Sequence, residues 1–301
     1  MTEVDRERAG YAAMARRAAA AVLACYSTSF GAATRLLPAR QRADIRALYA
    51  VVRIADEIVD SAAGLAGFDA AATLDAYEAA VRTAAEKPFH TDPVLHAFAA
   101  TARRCRFTDE QLTAFFAAMR ADLPGAAGEP GAAGGAGEPG AAGAPATYTR
   151  AGLARYIHGS AEVVGEMCVH VFLAGPPTGP RAQETLAGAR RLGAAFQKVN
   201  FLRDLRHDRH ALGRDYVPWV TDGASKSEFV AEIRADLDAA RASLPELPAR
   251  ARLAVSAAIG LYGELTDRLD AATWDEVTGG RIRVPGPVKA RVLARTLTKR
   301  S

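Results

Sequence analysis

The sequence predicts an all-α protein, and three observations point that way. Alanine is abundant and runs of β-branched residues are few, a composition that favours helix over strand. From Ile45 the apolar residues Leu48, Val51, Val52, Ala55, Ile58 and Val59 recur three and four positions apart, the period of an amphipathic helix. No segment alternates apolar and polar residues over the length of a strand.

Taken in order, residues 5–26 are Ala-rich and form the first predicted helix. Pro38, after Leu36 and Leu37, suits the first turn of the next, which carries the periodic stretch to Val59. Further helices are predicted near 70–86, 93–103, 109–122, 149–174, 181–209, 226–243 and 248–272. Residues 125–145 break the pattern, with glycine at every third position and Ala, Glu and Pro between. That is the collagen period. A triple helix needs three chains in register, however, and so short a run inside a helical chain reads as a flexible loop. The chain 1–301 is therefore read as one domain with an insert at 125–145.

Apolar residues make up 50% of the chain, enough for a sizeable core, and the 24% that are charged argue against a disordered chain. The net charge is +4, and no basic run is interleaved with aromatics, so nucleic-acid binding is not expected. A mildly basic surface suits anionic diphosphates or peripheral contact with a membrane face. Cys25, Cys105 and Cys168 are far apart and odd in number, which argues against a disulfide framework. The charged start, Glu3 to Arg8, does not read as a signal peptide. No apolar stretch reaches the roughly 20 residues that span a bilayer. A cytoplasmic location is expected.

Two acidic constellations carry the chemistry. Asp56 and Asp60 are four apart on the periodic helix and share a face, with Arg53 and Tyr49 on the same stripe. Like charges at this spacing repel unless something cationic lies between them. Mg²⁺ fits, because it takes oxygen ligands and is commonly held by one or two carboxylates together with substrate phosphates. Later in the chain Asn200, Asp204 and Asp208 step by four along another helix, flanked by Gln197 and Arg203. The plain alternative for either set is a solvated helix face with internal ion pairs. Two such helices, each with an arginine and apolar neighbours, favour a site built between facing helices of a bundle. His207 and His210 lack further zinc ligands and read as a solvated helix end; His158 reads as a hydrogen-bonded histidine of the cavity wall. Arg283 and Lys289 read as plain surface. No Gly-x-Gly-x-x-Gly follows a strand and no P-loop is present, so nothing supports a nicotinamide or ATP site.

These residues resemble the phytoene/squalene synthase family of isoprenoid synthases. The matching stretches are Tyr26-Ser27-Thr28-Ser29-Phe30 leading to Arg35-Leu36-Leu37-Pro38, the run Ala47 to Asp60, Gly159 to Glu166, Gln197 to Asp204, and Leu212 to Pro218. The resemblance covers about residues 20 to 290 outside the insert. It implies a helical bundle around a central apolar cavity. It implies that Asp56, Asp60, Asn200, Asp204 and Asp208 bind Mg²⁺, for which Mn²⁺ could substitute. It implies that Ser27, Ser29, Tyr49, Arg53, Gln197, Arg203, Tyr216 and Arg281 hold diphosphates, that Tyr156 lines the reaction cavity and that Tyr262 lies near it. Where the family carries Gly-Glu, this chain has Arg206-His207, so the charge around the second motif is more positive than usual.

The family chemistry joins two isoprenoid diphosphates head to head through a cyclopropyl diphosphate. The sequences around Asp56 and Asp204 resemble the carotenoid branch, which implies phytoene from two geranylgeranyl diphosphates, without NADPH. The alternatives are a squalene, dehydrosqualene or presqualene diphosphate synthase acting on farnesyl diphosphate and, in another class, a non-catalytic scaffold of the same fold.

Overall fold

Helix boundaries follow the capping chemistry of the chain. The computed structural model describes residues 3–62, 66–123 and 146–298. The Gly-x-y insert expected as a flexible loop at 125–145 lies outside the described residues. Helix α1 (Glu3–Tyr26) is followed by α2 (Thr28–Thr34), which starts where the Ser27 hydroxyl accepts from the Phe30 amide. Helix α3 (Ala39–Glu57) begins directly after Pro38. Aspartate side chains cap α4 (Ala70–Arg82) and α5 (Pro93–Cys105), and Thr108 with Gln111 forms a reciprocal cap on α6 (Asp109–Ala121). After the insert come α7 (Arg150–Ile157), α8 (Val163–Leu173), the long α9 (Ala182–His210), α10 (Gly223–Ala242) and α11 (Ala249–Ala271). The chain ends with α12 (Trp274–Gly279) and α13 (Gly286–Thr298).

The predicted all-α class holds, and every predicted helix is present. Helices α2, α12 and α13 were not predicted. The first two are short, and α13 has no fully buried residue, so each lacks the apolar stripe that periodicity detects. The helix predicted over 149–174 is in fact two, α7 and α8, joined by a π-helical turn at His158–Glu162. Helix α3 likewise runs into a π-helical turn at Ile58–Ala62. Such turns insert one residue into the helical register and re-aim side chains. The sole strand pairing among the described residues is a parallel pair of two-residue strands, β1 (Ala146–Thr147) and β2 (Arg214–Asp215).

The core is built from aromatic and aliphatic side chains of α3, α5, α6, α9 and α10, with Phe98, Phe115, Phe116 and Phe229 among the largest fully buried. Alanine on the facing helices lets their backbones approach. Glycine goes further at two contacts in the π-turn region: a Cβ on Gly159 would lie 2.3 Å from the Ala114 carbonyl oxygen, and one on Gly193 would lie 2.3 Å from that of Ala161. Among the described residues no helix is long and apolar enough to cross a membrane.

The close approach at Gly159 sets a measurable expectation. Gly159→Ala should lower stability by about 1–3 kcal/mol, because backbone must move to admit the methyl group. Gly10→Ala, on α1 with nothing within 4 Å, should be neutral or stabilising by up to about 1 kcal/mol. Urea-unfolding midpoints of the two variants check both.

Candidate active site

Helices α3 and α9 deliver the two acidic stripes to one cavity of about 930 Å³. From α3 and its π turn come Tyr49, Arg53, Asp56 and Asp60; from α9 come Gln197, Asn200, Arg203, Asp204 and Asp208. Ser27, Tyr156, Tyr216, Tyr262 and Arg281 also line it. Ser29 is half-buried and is not among the residues that line the cavity, whereas Ser27 both caps α2 and lines it.

Away from the charged end the wall is apolar. It includes Phe115, Met119, Val164, Cys168, Phe172, Leu192, Leu244 and Leu247. Helix α9 runs along the whole cavity. Thr185, Gly188, Ala189 and Leu192 line one end and Asn200, Asp204 and Asp208 the other, a span of roughly 35 Å along the helix axis. From α11, Val255, Ala258 and Tyr262 line the cavity, and the Tyr262 ring stacks on Phe196 at 3.7 Å.

The carboxylates do not stand as two unrelieved like-charged pairs. Arg53 binds Asp56 and Glu57, with its guanidinium 4.3 Å over the Tyr26 ring. Asp60, turned by the π-helical turn, instead receives the Arg214 guanidinium at 2.6 Å. Asp204 is held by Arg203 and by Arg281 at 2.8 Å. Among the described residues Asp208 has no ion pair. Burial, then repulsion from Asp204 and Asp60, pushes its carboxyl up to about 8. Burial and Asp60 likewise raise Asp56 to about 7, against the pull of Arg53. Burial raises the Tyr49 hydroxyl to about 12.

Asp60 and Asp208 lie near enough for Asp60 to raise the Asp208 carboxyl, and both acidic stripes line the same cavity. Among the described residues no three His, Cys, Asp or Glu side chains are arranged to hold a metal ion by themselves. A magnesium site that also uses substrate phosphate oxygens does not need three protein carboxylates. The donor set fits Mg²⁺: it is all oxygen, Asn200 Oδ1 is buried without a hydrogen-bond partner, and Asp208 has no ion pair among the described residues.

Two residues of this region were not singled out from the sequence. Asp122 ends α6 and is 3% exposed. It accepts hydrogen bonds from Tyr156 and, at 2.8 Å, from Tyr216. Arg214, in β2, donates to Asp60, to the Val59 carbonyl at 2.9 Å and to the Asp122 carbonyl, with its Nε 3.8 Å from Asp122 Oδ1. Burial raises Asp122 to about 6, opposed by Arg214 and the two tyrosines. A signal was available, since a carboxylate at a helix C-terminus faces the negative end of the dipole and needs a cation to justify it.

Other expectations are corrected. His158 is not in the cavity wall; the π turn carries it to the surface, where its Nδ1 lies 3.0 Å from Glu162. Lys289 is not plain surface, because its ammonium donates to the Thr28 hydroxyl at 2.6 Å and ties α13 to α2. Arg283 is exposed, as expected. Arg206 and His207 stand at the rim, with Arg206 donating to the Gly279 carbonyl at 2.6 Å.

A model of the squalene/phytoene synthase family matches residues 23–219. Over 69 residues, 22% of this chain and 12% of the other, the sequence is 44% identical to a bifunctional lycopene cyclase/phytoene synthase of Phycomyces blakesleeanus. Over 144 residues it is 32% identical to a 15-cis-phytoene synthase of Pantoea ananas, covering 40% of this chain and 44% of that one. The matches thus span less than half the length of either curated relative. In three dimensions the chain superposes on a dehydrosqualene synthase with a TM-score of 0.73, 19% identity and 98% of each chain covered, a likeness of fold.

The Arg214 arrangement gives the next expectation. Arg214→Met should destabilise the protein by about 3–5 kcal/mol, because Asp60 and the buried Asp122 lose their shared cation. Chemical denaturation checks this, and a loss below about 1 kcal/mol would contradict the role assigned to the pair.

Proposed function

The chain belongs to the squalene/phytoene synthase family, whose members join isoprenoid diphosphates head to head, and we propose that it condenses two molecules of geranylgeranyl diphosphate into phytoene. The observation that carries the reading is one cavity lined by both acidic stripes with their arginines and by an apolar interior along α9.

The substrate heads bind among Arg53, Arg203 and Arg281, three of the guanidiniums that line the cavity, with Ser27, Tyr49 and Gln197 as further polar contacts; the Tyr216 proton already goes to Asp122. Arginine suits this task because its planar donors match diphosphate oxygens. Arg203 and Arg281 both hold Asp204, so either can turn to an incoming diphosphate while the other keeps the carboxylate paired. Asp56, Asp60, Asn200, Asp204 and Asp208 would hold Mg²⁺ or Mn²⁺, which when bound stabilises charge on the departing diphosphate as a Lewis acid. The isoprenoid tails lie along the apolar wall, which excludes the water that would quench an allylic cation. Phe196, Phe201, Tyr156, Tyr216 and Tyr262 line the cavity, and aromatic rings near a developing cation favour it electrostatically. Proton loss then ends the reaction, and no reductant is required.

The second reading, farnesyl diphosphate as substrate, is favoured by the fold likeness to a dehydrosqualene synthase. Five more carbons are worth at most about 4 kcal/mol if fully buried, so pocket depth decides between the two. Competition between farnesyl and geranylgeranyl diphosphate, with and without NADPH and with products identified by mass, tests the proposal. A dominant C40 product independent of NADPH is expected; a C30 product or a strict need for NADPH overturns the phytoene assignment. Asp204→Asn should leave the fold intact and lower turnover on the order of a thousandfold, measured at saturating substrate.

A further inference from the structure

We propose that Asp122 is a positioning residue of the reaction centre, which commits the hydroxyl protons of Tyr156 and Tyr216 to its carboxylate and leaves both phenol oxygens as acceptors only. The inference rests on the head-to-head reading above, since it concerns how that cavity treats a carbocation. Asp122 does not line the cavity, whereas both tyrosine rings do. Tyr156 OH lies 2.5 Å from Asp122 Oδ2 and Tyr216 OH lies 2.8 Å from Oδ1, one hydroxyl on each oxygen. An ionised carboxylate has no proton to give, and each phenol has only one. Both hydroxyls must therefore donate outward, to Asp122.

The neighbours keep this direction fixed. The rings of Tyr156 and Tyr216 lie 5.1 Å apart, and Phe201 packs on Tyr216 at 4.6 Å, so neither ring can swing away without disturbing its neighbours. Arg214 stands beside Asp122 and favours its ionised form, although burial works against it. Neither Tyr156 nor Tyr216 then has an O–H free to turn towards the cavity. An inward O–H would place the positive end of its dipole towards the cation.

The readout is the partition of ionised substrate between the main hydrocarbon and by-products. By-products here are alcohols from water capture and isomeric alkenes. In Asp122→Asn the amide nitrogen can only donate, so one tyrosine becomes an acceptor towards Asn and its own O–H is released. The by-product share should rise at least about fivefold. Tyr156→Phe should cost about tenfold in turnover in the wild-type background but less than about threefold in Asp122→Asn, because coupled residues are not additive. If Asp122→Asn does not fold, as circular dichroism would reveal, Tyr156→Phe and Tyr216→Phe carry the test. Each keeps a ring in the wall and removes one oxygen, so by-products should rise in both. A lowered melting temperature with unchanged partition in folded variants, or full additivity in the double variant, overturns the inference. A wild type inert towards isoprenoid diphosphates overturns the functional reading instead, and this inference with it.

Discussion

The buried guanidinium of Arg214 holds the charged half of the molecule together. Burying a cation is costly unless it is paired and fully hydrogen-bonded. Arg214 meets that condition with partners from separate parts of the chain: Asp60 and the Val59 carbonyl in the turn that follows α3, and Asp122 with its own carbonyl at the end of α6. Without it, Asp122 would sit at the negative end of a helix dipole with no cation beside it. Asp60 would stand against Asp56 and Asp208 with nothing between them. The geometry of the mouth is thus an electrostatic solution as much as a packing one.

The cavity divides its tasks along one helix. Helix α9 presents small and aliphatic residues at its first turns and Asn200, Asp204 and Asp208 near its end. A single rigid rod therefore fixes the distance between the charged end of the cavity and its apolar end. Acidic groups are crowded at the charged end, and burial with mutual repulsion lifts Asp56 and Asp208 well above the usual carboxylate range. Perturbed groups gathered in a cleft mark it as a candidate functional site.

Much of this was legible in the sequence because the relevant signals are local. The four-residue steps of Asp56 and Asp60, and of Asn200, Asp204 and Asp208, need only helical periodicity to be placed on faces, and those faces do line one cavity. Two things were not legible. The π-helical turns at Ile58–Ala62 and His158–Glu162 leave no local signature, so the separate partner of Asp60 and the outward position of His158 could not be read. Asp122 belongs to no motif, and the arginine that explains it lies 92 residues away.

The two-residue pairing of β1 with β2 has a consequence of another kind. Ala146 pairs with Arg214 and Thr147 with Asp215, while Arg214 also donates to the Asp122 carbonyl. The chain thus leaves α6 and re-enters the fold at one anchored doorway. Closing a longer segment across fixed ends adds only about 0.6 kcal/mol for each doubling of its length. The doorway is therefore a natural socket for protein engineering, where a reporter domain or an affinity handle could be grafted in place of residues 125–145 with both of its ends already pinned.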